Sequence, residues 1–469
     1  MMQDARLFGG MEAGDQRAES ADRDGGAAAA VRAAGQARPA PRLRRADRSQ
    51  ALMQTVFIDE LLEPDHEARM IAAVVGKLDL SAYYDAIVAR GEQPGRPATD
   101  PAMLITLLIY AATVNIGCGR EIQRRCQSQD AFRWICGGVN LCYKVITDFR
   151  VSHEKALDDL FTQVLAALVR QGVVSIERIT QDGTRVKAAA GSSSFHRRKT
   201  TEDLLAKARA HVLKLKEQLD PVEAAKVTAG RKAARERAAT EKVARLEEAL
   251  VEVAEMEAGR AKWARGKDKS YESRSSCTDP EARNMKMGDG GTRPAYNVQL
   301  AGDPGSRAIV GVDVCNRGVD NHQDAPMREQ VLRRVAGLTD AAGKPLAIKE
   351  HLLDGGYAGR EDVQAARAEG VTLYVPPRER APGPGVDPRT GVRTGDPPEV
   401  VAWRERMSTD EAKAIYAERG KTSETINADL KTFRGLGEFT VRGLVKVQCV
   451  ALWSALAYNI MHFGSRLMT

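Results

Sequence analysis

Three acidic residues in three separate short motifs carry most of the chemical information in this sequence. Asp182 lies in Ile-Thr-Gln-Asp-Gly-Thr, Asp354 in His-Leu-Leu-Asp-Gly-Gly-Tyr, and Glu424 in Glu-Arg-Gly-Lys-Thr-Ser-Glu. Hard divalent cations such as Mg²⁺ prefer oxygen ligands. Two such ions about 4 Å apart can clamp the attacking and leaving oxygens of a phosphodiester. A fold that gathers the three carboxylates could therefore hold metal for phosphodiester chemistry.

Each motif alone is weak evidence for such a site. Asp182 with the glycine after it is most often a turn. Asp354 and its two following glycines indicate first a strand-to-loop junction, although glycine also lets a phosphate or a metal approach the backbone closely. Glu424, at the start of a helical pattern, could simply favour the positive end of a helix. The order strand, strand, helix strengthens the metal-site hypothesis.

The composition favours a multidomain protein with a polyanionic partner. A chain of 469 residues is too long for one ordinary core, and 43% hydrophobic residues suffice for globular domains. The formal charge of +7 favours the polyanionic partner. Aromatic residues are only 5% of the chain, so base stacking is not the leading mode of binding. The 7 cysteines are an odd count without disulfide-rich density, which indicates a reducing, cytoplasmic compartment, and they form no Cys-x-x-Cys pair of the kind that binds zinc.

Residues 1–54 are predicted to be a disordered tail. They are mostly Ala, Arg, Gly and Asp, with too few large apolar groups to offset the entropy lost on ordering. Patterned sequence begins just after Met53, which is therefore our hypothesis for the natural start.

Residues 55–172 are predicted to form an all-α N-terminal domain. Apolar residues recur there at three- and four-residue spacing, and Asp100-Pro101 suits a helix start. The apolar run 103–117 is shorter than the roughly 20 residues of a membrane span, so we expect a buried helix and no membrane partner.

Basic side chains give this helical region two possible roles. Arg120, Arg124 and Arg150 belong to a basic face that is either a solvated helix surface or a DNA-binding surface. We give the two roles equal weight.

Residues 173–469 are predicted to be an α/β domain with a helical insertion. Residues 174–190 suit a β-hairpin-like segment around Asp182, and residues 200–266 a basic helical hairpin, which is either a solvated hairpin or an arm that grips DNA. Residues 376–398 are a Pro/Gly-rich loop. The intervening pattern predicts, in order, strands over 295–300 and 308–314, a helix over 323–335, a strand over 347–353, a helix over 360–369 and a strand over 372–375. The last part of the chain is predicted to be helical and carries Glu424.

Several stretches together resemble the DDE transposases of bacterial insertion sequences. The C-terminal stretches are specific in combination, and the resemblance covers roughly residues 55–465. The stretches are Thr180 to Ala188, Arg293 to Gln299, Leu353 to Tyr357, the set Tyr416, Arg419, Glu424 and Lys431, Gly435 to Leu444, and Tyr458-Asn459. The helical part, with Asp148-Phe149-Arg150, resembles the family's N-terminal domain more loosely.

The resemblance implies a ribonuclease-H-like catalytic domain, a mixed sheet flanked by helices. Asp182 then lies on the first strand, Asp354 just after the fourth and Glu424 on a late helix. All three are implied as catalytic residues and metal ligands for Mg²⁺, or alternatively Mn²⁺, as two ions. The implied reaction is attack by water on a phosphodiester at the element's end, followed by attack of the freed 3′-hydroxyl on target DNA.

The resemblance also implies the partners. DNA is expected both as element ends and as target, and joining two ends favours self-association. Arg419, which is expected just before the helix of Glu424, and Lys431 are expected to contact DNA phosphates, and Tyr416 to contact DNA or to pack. One departure is Asn140 to Lys144, where the family has a different turn, which weakens the DNA-reading role of the N-terminal domain.

Three other functions compete with transposition. A metal-dependent nuclease of the same fold would cut without strand transfer. A DNA-binding remnant of a decayed element would not cut at all, but all three carboxylates and both basic signature residues are present. A basic coiled-coil scaffold would explain residues 200–266 and none of the motifs.

Overall fold

The computed structural model describes most of the chain beyond residue 54. The described residues are 49, 55–91, 96–217, 229–263, 272–339, 343–357, 359–377 and 385–468. Apart from residue 49, the predicted disordered tail lies outside them. Asp220-Pro221, whose sequence favours a break between the two helices of the predicted insertion, and part of the Pro/Gly-rich loop also lie outside the described residues.

The helices before the first strand follow the predicted apolar periodicity. Asp100 starts α3 by accepting a hydrogen bond from the Ala102 backbone N–H, and Pro101 occupies the first turn. The helices are α1 Glu67–Val75, α2 Ser81–Asp85, α3 Pro101–Thr113, α4 Gly119–Ser128, α5 Asp130–Cys136, α6 Tyr143–Ser152 and α7 Glu154–Arg170.

The rest of the chain contains both strands and helices. The strands are β1 Arg178–Lys187, β2 Phe195–Arg197, β3 Arg274–Ser276, β4 Arg283–Lys286, β5 Thr292–Gly302, β6 Ile309–Cys315, β7 Glu350–Leu353 and β8 Thr372–Tyr374. The helices are α8 Arg198–Glu217, α9 Ala229–Trp263, α10 Asp324–Arg334, α11 Arg360–Ala368, α12 Pro398–Ser408, α13 Asp410–Phe433 and α14 Leu444–Met468.

The main sheet is mixed and has β1 at its centre. Its order is β4-β5-β1-β7-β8, and β6 also pairs with β5. β1 is antiparallel to β5 and parallel to β7, and β8 is parallel to β7. In this register Gln181 lies beside Leu353. Asp182 and Asp354, which directly follow Gln181 and Leu353, are therefore brought to neighbouring positions.

The prediction of a β-hairpin-like segment around Asp182 is wrong. β1 is one continuous strand, and Asp182 and Gly183 pair with Leu300 and Gln299 of β5. The Asp-Gly pair is a frequent local turn signal. Here the glycine serves close packing, because a Cβ atom on Gly183 would lie 2.2 Å from Oδ1 of Asp320.

The predicted helical insertion is present as α8 and α9, which pack against each other. Leu205, Ala208 and Leu246 form their buried contact. The Arg209–Glu247 pair joins the two helices at 2.7 Å. The described parts of the insertion therefore form a hairpin whose apolar seam is internal.

The last helix, α14, passes through the core. It packs against α1, α3, α6, α7 and β6, so the N-terminal helices and the sheet share one hydrophobic cluster. By length and composition α14 could cross a membrane, but 72% of its apolar window is buried inside the protein. Asn459 fixes it to β6, because its amide accepts from the Ile309 N–H at 2.9 Å and donates to the Ile309 carbonyl at 2.8 Å.

Candidate active site

Asp182 is held by hydrogen bonds on both carboxylate oxygens. Oδ1 accepts from the backbone N–H of Gly183 at 3.0 Å and from Nη2 of Arg419 at 3.1 Å. Oδ2 accepts from Nδ2 of Asn427 at 3.0 Å. Arg419 and Asn427 both belong to α13, so this helix is fixed over the middle of β1.

The Arg419 guanidinium lies between the two aspartates. Its Nη2 atom is 3.1 Å from Asp182 and 3.8 Å from Oδ1 of Asp354. The Asp354 side chain is 58% exposed, whereas Asp182 is 22% and Arg419 14% exposed. The site therefore has a shielded end at Asp182 and an open end at Asp354.

Two expectations about α13 are wrong. Glu424 was placed at the start of a helix and Arg419 before it, but α13 begins at Asp410 and contains both. The Thr409 hydroxyl caps this earlier start by accepting from the Ala412 N–H. The helix continues through Gly420, because the packing of α13 outweighs the roughly 1 kcal/mol cost of an internal glycine.

Glu424 lies on the flank of the helix face that meets Asp182. It is three residues before Asn427, which places it roughly 60° around the helix axis. Its side chain is exposed and makes no hydrogen bond or ion pair within the described part of the chain. No group of three or more His, Cys, Asp or Glu side chains among the described residues is arranged to hold a metal.

Tyr416 and Lys431 also lie near the aspartates. Burial raises the pKa of Tyr416, and the charge of Asp354 and a hydrogen bond to it raise this pKa further. Desolvation lowers the pKa of Lys431, and the nearby Asp182 opposes this shift. The Lys431 ammonium is therefore partly shielded from water, although the residue as a whole is exposed.

Burial and neighbouring charges shift the pKa of Asp182 in opposite directions. Burial raises the pKa of its carboxyl, Arg419 lowers it, and the negative charges of Asp354 and Asp320 raise it again. The resulting pKa lies above the usual value. Asp182 and Asp354 thus share the Arg419 guanidinium, whereas Asp320 has its own cation, Arg185, at 3.7 Å.

The carboxylates of Asp182 and Asp354 suit a bound cation, but Glu424 does not lie with them to form a set of three acids. Asp182 and Asp354 already direct oxygens at one positive group, Arg419. Carboxylate oxygens are the donors that Mg²⁺ and Mn²⁺ prefer. Glu424 would have to turn from solvent toward the pair to join them.

Two residues near Asp182 were missed by sequence reasoning. Asn427 lies 427 − 419 = 8 positions after Arg419, so helical periodicity could have put both on one face once the helix was known to be continuous. Asp320 follows β6 in a loop, and its effect on Asp182 is seen only in the tertiary structure. Local sequence around Asp320 carries no comparable signal.

The arginines of the N-terminal helices have protein partners. Arg120 stacks over the Tyr143 ring at 5.0 Å, and Arg124 pairs with Glu121. Arg150 donates to the carbonyl of Gly117, and burial lowers its pKa to about 10. Arg150 therefore ties α6 to the segment before α4, and DNA contact by these arginines stays a prediction.

Family comparisons match both ends of the described chain. The family described as "Transposase domain (DUF772)" matches residues 56–152, the N-terminal helices. The family described as "Transposase DDE domain" matches residues 399–463, which include all of α13. Asp182 and Asp354 lie outside both matches. No curated protein and no solved structure matches the chain.

The two matches support a DDE transposase of the insertion-sequence type. The helix-rich fold with its mixed sheet and helical N-terminal region is compatible with that family. Transposase domains imply DNA binding, and this family normally uses divalent metal ions.

Proposed function

We propose that this chain cuts the ends of an insertion sequence by metal-dependent phosphodiester hydrolysis and joins the freed 3′-hydroxyl to target DNA. The observation that carries the proposal is the convergence of Asp182 and Asp354 on Arg419. The helix that supplies Arg419 belongs to the region matched by the DDE transposase family.

We propose a ribonuclease-H-like fold for the catalytic part. The strand path β6-β5-β1-β7-β8 supports it, because β1, β5 and β6 are antiparallel neighbours, β7 is parallel to β1, and β8 is parallel to β7. Counted in chain order, these five strands are β1, β5, β6, β7 and β8, so that β1 is the first and β7 the fourth. Asp182 on β1 and Asp354 after β7 therefore agree with the positions that the resemblance implies. The proposed domains are residues 55–172 and 173–469.

Asp182, Asp354 and Glu424 are the proposed catalytic residues and metal ligands. Bound Mg²⁺ or Mn²⁺, as two ions, would supply Lewis-acid polarisation of the phosphodiester and a lowered pKa of the attacking water. The two aspartates would hold the metal, and Glu424 would complete the set from α13. Arg419 would then be released from the carboxylates, and its planar guanidinium suits a DNA phosphate.

DNA is the proposed partner along the same face. Lys431 lies near Asp182 and suits a backbone phosphate close to the scissile bond, and Tyr416 borders the open end of the site at Asp354. Arg120 and Arg124 are the proposed contacts of the N-terminal helices, with Arg150 holding them in place. Joining two ends would bring two copies together, in the cytoplasm and on the nucleoid.

Cleavage of DNA from the flanks of the gene tests the function. Purified protein with Mg²⁺ should cut fragments carrying terminal inverted repeats, and Asp182→Asn, Asp354→Asn and Glu424→Gln should each abolish cutting while leaving DNA binding. Glu411→Gln, in the exposed first turn of α13, is the matched control and should cut normally. Undiminished cutting by any of the three variants removes that residue from the site. Cutting without joining would indicate a nuclease.

A further inference from the structure

We propose that Gln299 is a positioning residue of this site, joining the turn that carries Asp354 to the carboxylate of Asp320 beside Asp182. The inference rests on the proposed function, because positioning matters only if the two aspartates act together on a metal. Gln299 is 1% exposed and lies on β5, next to Gly183 of β1.

One end of this connection fixes the turn after β7. The backbone N–H of Tyr357 donates to the carbonyl of Asp354 at 3.0 Å, which closes the turn. The Tyr357 hydroxyl then donates to Oε1 of Gln299 at 2.6 Å. Tyr357 is 1% exposed, so the open, mostly exposed Asp354 side chain stands on a turn that is anchored in the core.

The other end fixes Asp320 over β1. Nε2 of Gln299 donates to Oδ1 of Asp320 at 2.8 Å, and Nδ2 of Asn297 donates to the same oxygen at 2.7 Å. This oxygen would lie 2.2 Å from a Cβ atom on Gly183. The Asp320 carboxylate therefore lies against the backbone just after Asp182, close enough for its charge to act on that carboxyl.

The orientation of the Gln299 amide is determined by its partners. Oε1 also accepts from Nε2 of Gln181 at 2.9 Å, so this atom receives two donors. Nε2 faces the Asp320 carboxylate, which accepts its hydrogen bond. If the Gln299 amide were reversed, its NH₂ group would face the NH₂ group of Gln181 and its oxygen would face the carboxylate of Asp320. Neither contact would then be a hydrogen bond. A buried network with one allowed arrangement is rigid.

This rigidity is what a two-aspartate site needs. Groups outside the ligand set that orient the ligands typically change metal affinity 10- to 100-fold when they are removed. In this chain Asp182 is held directly by α13, whereas the Asp354 backbone turn is held through Tyr357 and Gln299. Loss of Gln299 should therefore loosen Asp354 relative to Asp182.

Mn²⁺ binding to the full chain without DNA tests the proposal, measured by electron paramagnetic resonance beside thermal unfolding. Gln299→Met should weaken Mn²⁺ binding about 10- to 100-fold. Gln330→Met is the matched control, because the Gln330 amide, like that of Gln299, makes hydrogen bonds through both its oxygen and its nitrogen, in this case to Val312 of β6. It should cost similar thermal stability and leave Mn²⁺ binding unchanged.

Tyr357→Phe keeps the test decisive if Gln299→Met does not fold. It removes only the hydroxyl and should also weaken Mn²⁺ binding, with cleavage requiring more metal. Equal Mn²⁺ binding by wild type, Gln299→Met and Tyr357→Phe, with Asp182→Asn defective, overturns the positioning role alone. Equal binding by wild type and Asp182→Asn overturns the proposed function and this inference with it.

Discussion

Replacing Gly183 with alanine should damage both stability and the site. The backbone φ of Gly183 lies outside the left-handed region, so alanine is not excluded by conformation. The obstacle is steric: the new Cβ atom would lie 2.2 Å from Oδ1 of Asp320, 2.5 Å from Nε2 of Gln299 and 2.9 Å from Oδ1 of Asn297.

The size of the effect follows from these distances. Real Cβ contacts are essentially never below 3.0 Å, so Asp320 must withdraw by at least 3.0 − 2.2 = 0.8 Å and Gln299 by 3.0 − 2.5 = 0.5 Å. Overpacking of this kind costs about 1–3 kcal/mol of unfolding free energy. A displacement approaching 1 Å near reacting groups can also cost about 10²-fold in rate.

Urea unfolding and Mg²⁺-dependent cleavage measure the two effects of Gly183→Ala. The matched control is Gly259→Ala in α9, where an added Cβ atom meets nothing within 4 Å. It should stabilise the protein by about 0.5–1 kcal/mol, because alanine is the better helix former, and leave cleavage unchanged. If Gly183→Ala is as stable and as active as wild type, the close approach of Asp320 and Gln299 to β1 does not exist.

Three further predictions follow from the same contacts. Arg419→Gln should abolish cleavage and lower the unfolding free energy of the metal-free protein by about 1–3 kcal/mol, because it breaks a charged hydrogen bond to Asp182. Added Mn²⁺ should then raise the melting temperature of this variant more than that of wild type. An equal rise would refute the competition between the Arg419 guanidinium and the metal. Asn427→Ala should reduce cleavage and weaken Mn²⁺ binding, whereas its DNA affinity in a filter-binding assay should be unchanged. Intact metal binding would show that the hydrogen bond from Asn427 to Asp182 is dispensable. Asn459→Leu should cost about 2–4 kcal/mol in urea unfolding, because both backbone groups of Ile309 lose buried partners, and a cost below about 1 kcal/mol would contradict that role.

Local periodicity was sufficient to predict the helices that pack along one stripe. The N-terminal helices and the two insertion helices were expected from apolar spacing, and α3 begins at the predicted Asp100-Pro101. The spacing of apolar residues along a helix is set by its own geometry, so distant parts of the chain are not needed to recognise it.

Short local signals failed where a distant residue determined the local structure. Asp-Gly at 182–183 indicated a turn, but the glycine is needed for Asp320, which is 320 − 183 = 137 positions away. The pattern around Glu424 indicated a helix start, but α13 already runs through Gly420 and is anchored on both sides of this glycine by Arg419 and Asn427. In both cases tertiary contacts outweighed a propensity of about 1 kcal/mol.

The sequence by itself determined which chemical groups are available: two aspartates near strands, a glutamate with basic neighbours on a helix, and a chain of the transposase type. Only the tertiary structure decided their arrangement. The parallel pairing of β1 with β7 sets Asp182 beside Asp354, and α13 places Arg419 between them while Glu424 faces solvent. Strand register and helix docking depend on burial across the whole core, and short motifs contain no information about either.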